Sequence, residues 1–239
     1  MGSGFTTYSL SERALVIKLG DTIDISIHQK VIQFNNKINQ SPFEGFVETV
    51  PAYNTIAVYY DPIAVVHSKK LEGPSAHKRV EKYINSLNFV LEEKPVSSKT
   101  LVVPVCYDPE YAPDLKFVSE YRKLSVDKII QLHTAPVYTV YMIGFVPGFP
   151  YLGKLDPDLI VPRKETPRTM VDPGSVGIAG EQTGIYPFAS PGGWQLIGRT
   201  PITLFDPLKN EPTLLRLGDR VRFVPVGKAE FLQIQESRS

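Results

Sequence analysis

Apolar positions along the chain fall into two patterns that meet near residue 95. In the first part, compact apolar runs alternate with helical periodicity. Arg13–Leu19 is an apolar run ended by Gly20 and predicts a strand. Ile27, Val31, Phe34 and Ile38 then recur at helical spacing. The spacing predicts a helix capped by Asp21 or Thr22 and stopped at Ser41-Pro42. Phe46–Val50 and Thr55–Tyr60 predict two strands, turned by Pro51 and Asn54 and closed by Asp61-Pro62. Ala76, Val80, Tyr83, Leu87 and Val90 mark a second amphipathic helix, with Pro74 in its first turn. The expected domain, residues 1–95, is α+β, with two helices packed on one antiparallel sheet.

Glu92–Thr100 is polar and carries a proline and two serines, which predicts a linker. Beyond it, Leu101–Tyr107 predicts a strand and Asp114–Leu124 a short helix. Ser125 caps another helix that runs to His133, and Val137–Phe145 predicts a strand buried on both faces. From Gly144 to Asp206 the chain changes character. Twelve of the 21 prolines and twelve of the 17 glycines follow Ile143. Proline fixes φ and glycine frees it, so such a stretch folds as short strands joined by tight turns. Large apolar residues such as Phe149, Tyr151, Tyr186 and Trp194 supply its core. Leu214–Val224 predicts two strands around a turn at Gly218-Asp219. Residues 96–239 are expected to form a mainly β domain, a closed barrel that leaves no sheet edge exposed.

Composition narrows the function. Of 239 residues, 42% are apolar and 21% charged, values of a soluble globular protein. The net charge of +1, from 26 basic and 25 acidic residues, argues against nucleic acid as a main partner. Cys106 is the single cysteine, so no internal disulfide forms, and it reads as a buried packing residue. No apolar run is long enough to span a membrane, and the N-terminus lacks a basic region followed by an apolar one. A cytoplasmic protein without a membrane partner is the expectation.

Candidate chemistry concentrates in the Pro/Gly stretch. Gly148–Lys154 spells a near phosphate-binding loop, but Pro150 has no N–H, Leu155 replaces the hydroxyl, and Asp156-Pro157 disfavours the required helix. It therefore reads as an apolar-anchored loop. Arg163, Arg168 and Arg199 lie among prolines and suit capture of carboxylate or phosphate. The alternative is internal pairing with Asp156, Asp158, Glu165, Asp172, Glu181 or Asp206. Gln182, Tyr186, Gly192, Gly193 and Trp194 offer donors and acceptors beside an aromatic face. A barrel corner packed under Trp194 is the alternative. His133 is a candidate general acid or base, against a structural role. His28, His67 and His77 lack metal-ligand spacing, so no metal site is expected.

The segments GFVPGFPYLGKLD, the PR…TPR pair, GSVGIAGEQTGIYP and SPGGWQLIGRTP resemble the signature blocks of the KipI family. That family is also called allophanate hydrolase subunit 1, or the B component of bacterial 5-oxoprolinase. The blocks run from about His133 to Asp206, while the first 95 residues match only in length and α/β pattern. The resemblance implies an N-terminal α/β domain followed by a cyclophilin-like β-barrel. It implies partners: a sister component of the KipA or C type, and an A component of the LamB/YcsF type. Together these cleave 5-oxo-L-proline to L-glutamate with ATP, Mg²⁺ being a candidate companion of the nucleotide. This chain alone is expected to be inactive. Which component binds ATP stays open. A sporulation-type histidine kinase is the partner in the alternative, inhibitory reading. A role in an allophanate hydrolase or urea carboxylase is a further one. For the 5-oxoprolinase reading the expected catalytic residues are His133, Arg168 and Gln182. Arg163, Tyr186, Gly192, Gly193, Trp194 and Arg199 are expected to bind substrate.

Overall fold

The computed structural model describes residues 4–87 and 99–237. The chain forms two compact units, Met1–Ser97 and Ser98–Ser239. Most of the expected linker, and Val90, lie outside the described residues.

In the first unit, β1 (Thr6–Ser11), β2 (Ala14–Lys18), β3 (Phe46–Pro51) and β4 (Thr55–Tyr60) form an antiparallel sheet ordered β1-β2-β4-β3. β1 has no counterpart among the predicted strands. Its side chains are mostly polar and exposed, so backbone pairing with β2 holds it as an edge strand. α1 (Ile25–Gln40) starts later than expected because Asp24 caps it, accepting from Ser26 N at 2.8 Å. Its Val31, Phe34 and Ile38 are fully buried, as the periodicity requires. A short helix, α2 (Pro62–His67), follows where only a strand end is expected. Asp61 caps it and Pro62 opens it. α3 (Ala76–Ser86) is capped by Ser75, so Pro74 precedes the cap rather than entering the first turn. Val80 and Ile84 complete a core with Leu15, Ile17, Ile56 and Val58.

The second unit opens with β5 (Thr100–Cys106), α4 (Leu115–Arg122), α5 (Val126–Thr134), β6 (Tyr138–Ile143) and β7 (Pro150–Gly153). β8 (Arg168–Val171), β9 (Ser175–Ala179), β10 (Gln182–Ile185), β11 (Ser190–Gly192) and β12 (Gln195–Arg199) span the Pro/Gly stretch. β13 (Arg220–Val226) and α6 (Lys228–Glu236) end the unit. Seven strands close a barrel in the order β10-β7-β6-β13-β5-β12-β9, while β8 and β11 pair as a separate ribbon. β5 and β13 are parallel, in register from Thr100↔Arg220 to Cys106↔Val226. The expected strand at Leu214 reduces to one bridge, Phe205↔Thr213, with Leu214 N bonded to Leu204 O.

Neighbouring residues along a strand face opposite sides of the sheet. Val176, Ile178, Ile185 and Ile197 join the barrel's main core. Their neighbours Ala179, Tyr186 and Leu196 join a second cluster with Phe149, Val171 and Trp194. Val171 brings the β8–β11 ribbon onto that cluster, which therefore lies on the other face of the barrel wall.

His133 belongs to the main-core side. It is fully buried and stacks on Phe223 with centroids 4.6 Å apart. Its Nδ1 lies 2.8 Å from the Tyr107 hydroxyl and its Nε2 3.0 Å from Thr183 Oγ1. Thr183 donates its proton to the Gly177 carbonyl, so it accepts from Nε2–H. Burial keeps the ring neutral, holding its pKa down to about 3, and Nδ1 therefore accepts from the Tyr107 hydroxyl. Between about pH 6.5 and 3 the unfolded chain binds one proton more at this site. Stability must therefore fall as pH drops through that window, by up to about 1.4 kcal/mol per pH unit from this residue. Denaturant unfolding at stepped pH should show that slope, and His133→Gln should flatten it.

Candidate functional site

An open cavity of about 320 Å³ lies beside the second cluster. Phe149, Tyr151, Tyr186 and Trp194 form its aromatic wall, and Phe145 stands at its edge. Phe149 is the hub. It meets Tyr186, Trp194 and Tyr151 edge to face, with centroids 5.1, 5.4 and 4.9 Å away. Glycines make room for these rings. A Cβ on Gly184 would come 2.8 Å from Phe149, and one on Gly177 would come 3.0 Å from Trp194 Cβ. A Cβ on Gly192 would overlap the Tyr186 hydroxyl. Phe145 is 60% exposed and holds a left-handed φ of 69°, a conformation that bulky residues rarely adopt.

Arg163 and Lys164 bring positive charge to the cavity. The Arg163 guanidinium lies over the Trp194 ring, 6.0 Å from its centroid. Among the described residues it has no hydrogen-bond or ion-pair partner. Burial pushes the Tyr186 phenol up, against a Trp194 backbone hydrogen bond and the charges of Arg163 and Arg168. Burial raises Tyr151 likewise, again opposed by Arg163. Both phenols stay protonated at neutral pH, beside an uncommitted cation. Such a cavity suits a small anion with an apolar body.

The structure thus brings together Arg163, Tyr186, Gly192, Gly193 and Trp194. Arg168 does not line the cavity. Its Nη2 donates to Asp114 Oδ1 at 2.7 Å. Internal pairing therefore holds for this arginine, with a carboxylate that the local sequence does not suggest. Arg199 is held by Asp172 at 3.2 Å and by the Pro173 carbonyl at 2.9 Å, away from the cavity. Gln182 opens β10 opposite Ala179 and does not line the cavity. His133 is sealed in its hydrogen-bonded core. Neither Gly192 nor Gly193 has a left-handed φ, so no strained turn explains the pair; close packing against Tyr186 accounts for Gly192, and Gly193 has room for a side chain. Sequence patterns single out neither Lys164 nor Asp114. Lys164 adjoins Arg163, whereas Asp114 opens the expected helix Asp114–Leu124.

The near phosphate-binding loop is built otherwise. Pro150–Gly153 is strand β7, laddered to β6 and β10, and the Phe149 and Leu155 N–H groups bond to Val146 and Glu181 carbonyls. These donors do not converge on a phosphate. Among the described residues no group of three or more His, Cys, Asp or Glu could hold a metal ion.

Residues 5–215 match the family model described as carboxyltransferase domain, subdomain C and D. The chain is 40% identical to the B component of 5-oxoprolinase from Bacillus subtilis (strain 168), over 95% of each chain. It is 38% identical to the same component from Escherichia coli O157:H7, over 91% of this chain and 94% of that one. The chain belongs to the family of 5-oxoprolinase B components. Among solved structures, TTHA0988 superposes with a TM-score of 0.74 at 33% identity, over 90% of this chain. The match spans only 39% of that longer chain. A Kluyveromyces lactis urea amidolyase shares the fold, at TM-score 0.77 and 20% identity, over 98% of this chain and 15% of its own.

The packing separates two adjacent glycines of this family member. Gly192→Ala should displace Tyr186 and cost about 1–3 kcal/mol, the usual range for overpacking. Gly193→Ala, whose nearest neighbour would be 3.5 Å away, should stay within about 0.5 kcal/mol. Chemical denaturation followed by Trp194 emission measures both.

Proposed function

We propose that this chain is the B component of an ATP-dependent 5-oxoprolinase and supplies a pocket for the lactam substrate. The observation that carries the reading is the unpaired Arg163 guanidinium over Trp194, at the mouth of an aromatic cavity. 5-Oxoproline is a small ring with one carboxylate. Arg163 would take the carboxylate, and the Tyr151 and Trp194 rings would flank the ring's methylenes. Tyr186 and Phe149 would hold that wall in place. The relatives named as 5-oxoprolinase B components support the reading, since they align over almost the whole chain.

A lactam is resonance-stabilised and resists hydrolysis, which is why ATP is needed by the assembled enzyme. The loop that spells a near phosphate-binding motif does not fit a triphosphate. This chain's share of the chemistry is to bind and orient the substrate and to shield one face of it from water. A sister component of the C type and a LamB/YcsF-type component would complete the site. In the same reading the first unit is a separate domain ending near residue 95, the barrel is cyclophilin-like, and the complex works in the cytoplasm.

The test is 5-oxoproline-dependent ATP hydrolysis, measured for this chain alone and co-expressed with the other two components. Turnover is expected only in the mixture. Arg163→Gln should then raise KM for 5-oxoproline about tenfold or more, the scale of a lost charge-assisted contact. An assembled complex without substrate-dependent hydrolysis would overturn the proposal.

A further inference from the structure

Asp114 makes contacts that its place in the sequence does not explain. It precedes α4 at the N-cap, where an aspartate ordinarily bonds the first free helix N–H groups. Here it makes no side-chain cap bond. Its carboxylate turns away from its own helix, and the residue is only 5% exposed. Oδ2 accepts from Leu196 N at 2.7 Å, and Asp114 N donates to Leu196 O at 2.9 Å. Oδ1 takes Arg168 Nη2 at 2.7 Å and Lys164 Nζ at 3.4 Å. A buried carboxylate is tolerated only when paired this fully, and sparing it from capping leaves the helix end less satisfied.

We infer that Asp114 is a positioning residue for the cavity, which it does not itself line. Its two oxygens tie the 163–168 segment to β12, two residues beyond Trp194. Two further bonds fasten residues 162 and 164 to the same side: Lys164 N to Gly193 O at 2.7 Å, and Gln195 Nε2 to Pro162 O at 3.1 Å. Neither of these carries charge. Among the described residues, Asp114 is the carboxylate that pairs with the cations there, holding Arg168 firmly and Lys164 loosely. Arg163 is left as the uncommitted cation over Trp194, a match for a single carboxylate. Without the Asp114 charge, Arg168 would lose its ion pair while its Nη1 is already buried without a partner. The rim would then reorganise around two released cations.

This inference rests on the substrate reading only where substrate is measured. Trp194 is the chain's one tryptophan and lines the cavity, so its emission reports the wall with no partner or ligand present. The full-length chain is compared with Asp114→Asn, Arg168→Gln and the double variant. Folding is followed by far-ultraviolet circular dichroism. Asp114→Asn should shift Trp194 emission to the red and increase its quenching by iodide. Arg168→Gln should act in the same direction, and the double variant should go no further than the larger single effect, because both break one linkage. In the assembled complex, Asp114→Asn should raise KM for 5-oxoproline about tenfold while kcat changes much less. Unchanged emission and quenching in folded Asp114→Asn, or additive effects in the double variant, would overturn the inference. A Trp194 response with an unchanged KM would keep the clamp and overturn the reading of the cavity as the substrate site. Should Asp114→Asn fail to fold, the emission of Arg168→Gln decides by the same criteria.

Discussion

The parallel pairing of β5 with β13 is the constraint on which the second unit depends. It joins the first strand of that unit to the last, over seven residues in unbroken register. Parallel neighbours require a long connection, so everything between Cys106 and Arg220 must leave the pair and return to it. The intervening strands use that path to close the barrel, which leaves no unpaired edge. Closure also fixes which side of each strand is inside. Ile178 and Ile197 then face the main core, and Ala179 and Leu196 the other face.

That second face is where the cavity forms. A wall of large rings needs a surface with little of its own bulk, and Gly177, Gly184 and Gly192 provide it. The rings gain edge-to-face contacts with Phe149, and the exposed Arg163 guanidinium lies over Trp194 at their edge. Behind it, Asp114 keeps neighbouring positive charge engaged. The electrostatics of the cavity are thus set by a residue outside it.

His133 illustrates how a residue type common in active sites serves a different end. Its two ring nitrogens are both occupied, by Tyr107 and Thr183, and its face is covered by Phe223. With the pKa held near 3, the imidazole neither carries charge at neutral pH nor reaches a ligand. It cross-links α5, β10 and the chain beyond β5 through these two hydrogen bonds.

Much of the fold is legible in the chain itself. Apolar spacing locates α1 and α3, because a helix face repeats every three or four residues wherever the helix packs. Alternation in Arg220–Phe223 marks β13 for the same kind of reason, and the density of proline and glycine marks the short strands. Local rules are weaker where side chains carry no pattern. β1 is polar and exists through backbone pairing, α2 has six residues, and α6 buries a single residue, Phe231. The aromatic residues, glycines and Arg163 of the cavity are visible as types. Their assembly is not, nor is the separation of Arg199, Gln182 and His133 from them. Asp114 shows the reason most plainly. From its neighbours it is the first residue of a helix, and only the return of the chain at Lys164, Arg168 and Leu196, 50 residues away or more, gives its carboxylate partners. Sequence determines what a residue can bond to; closure of the barrel decides which of those bonds comes within reach.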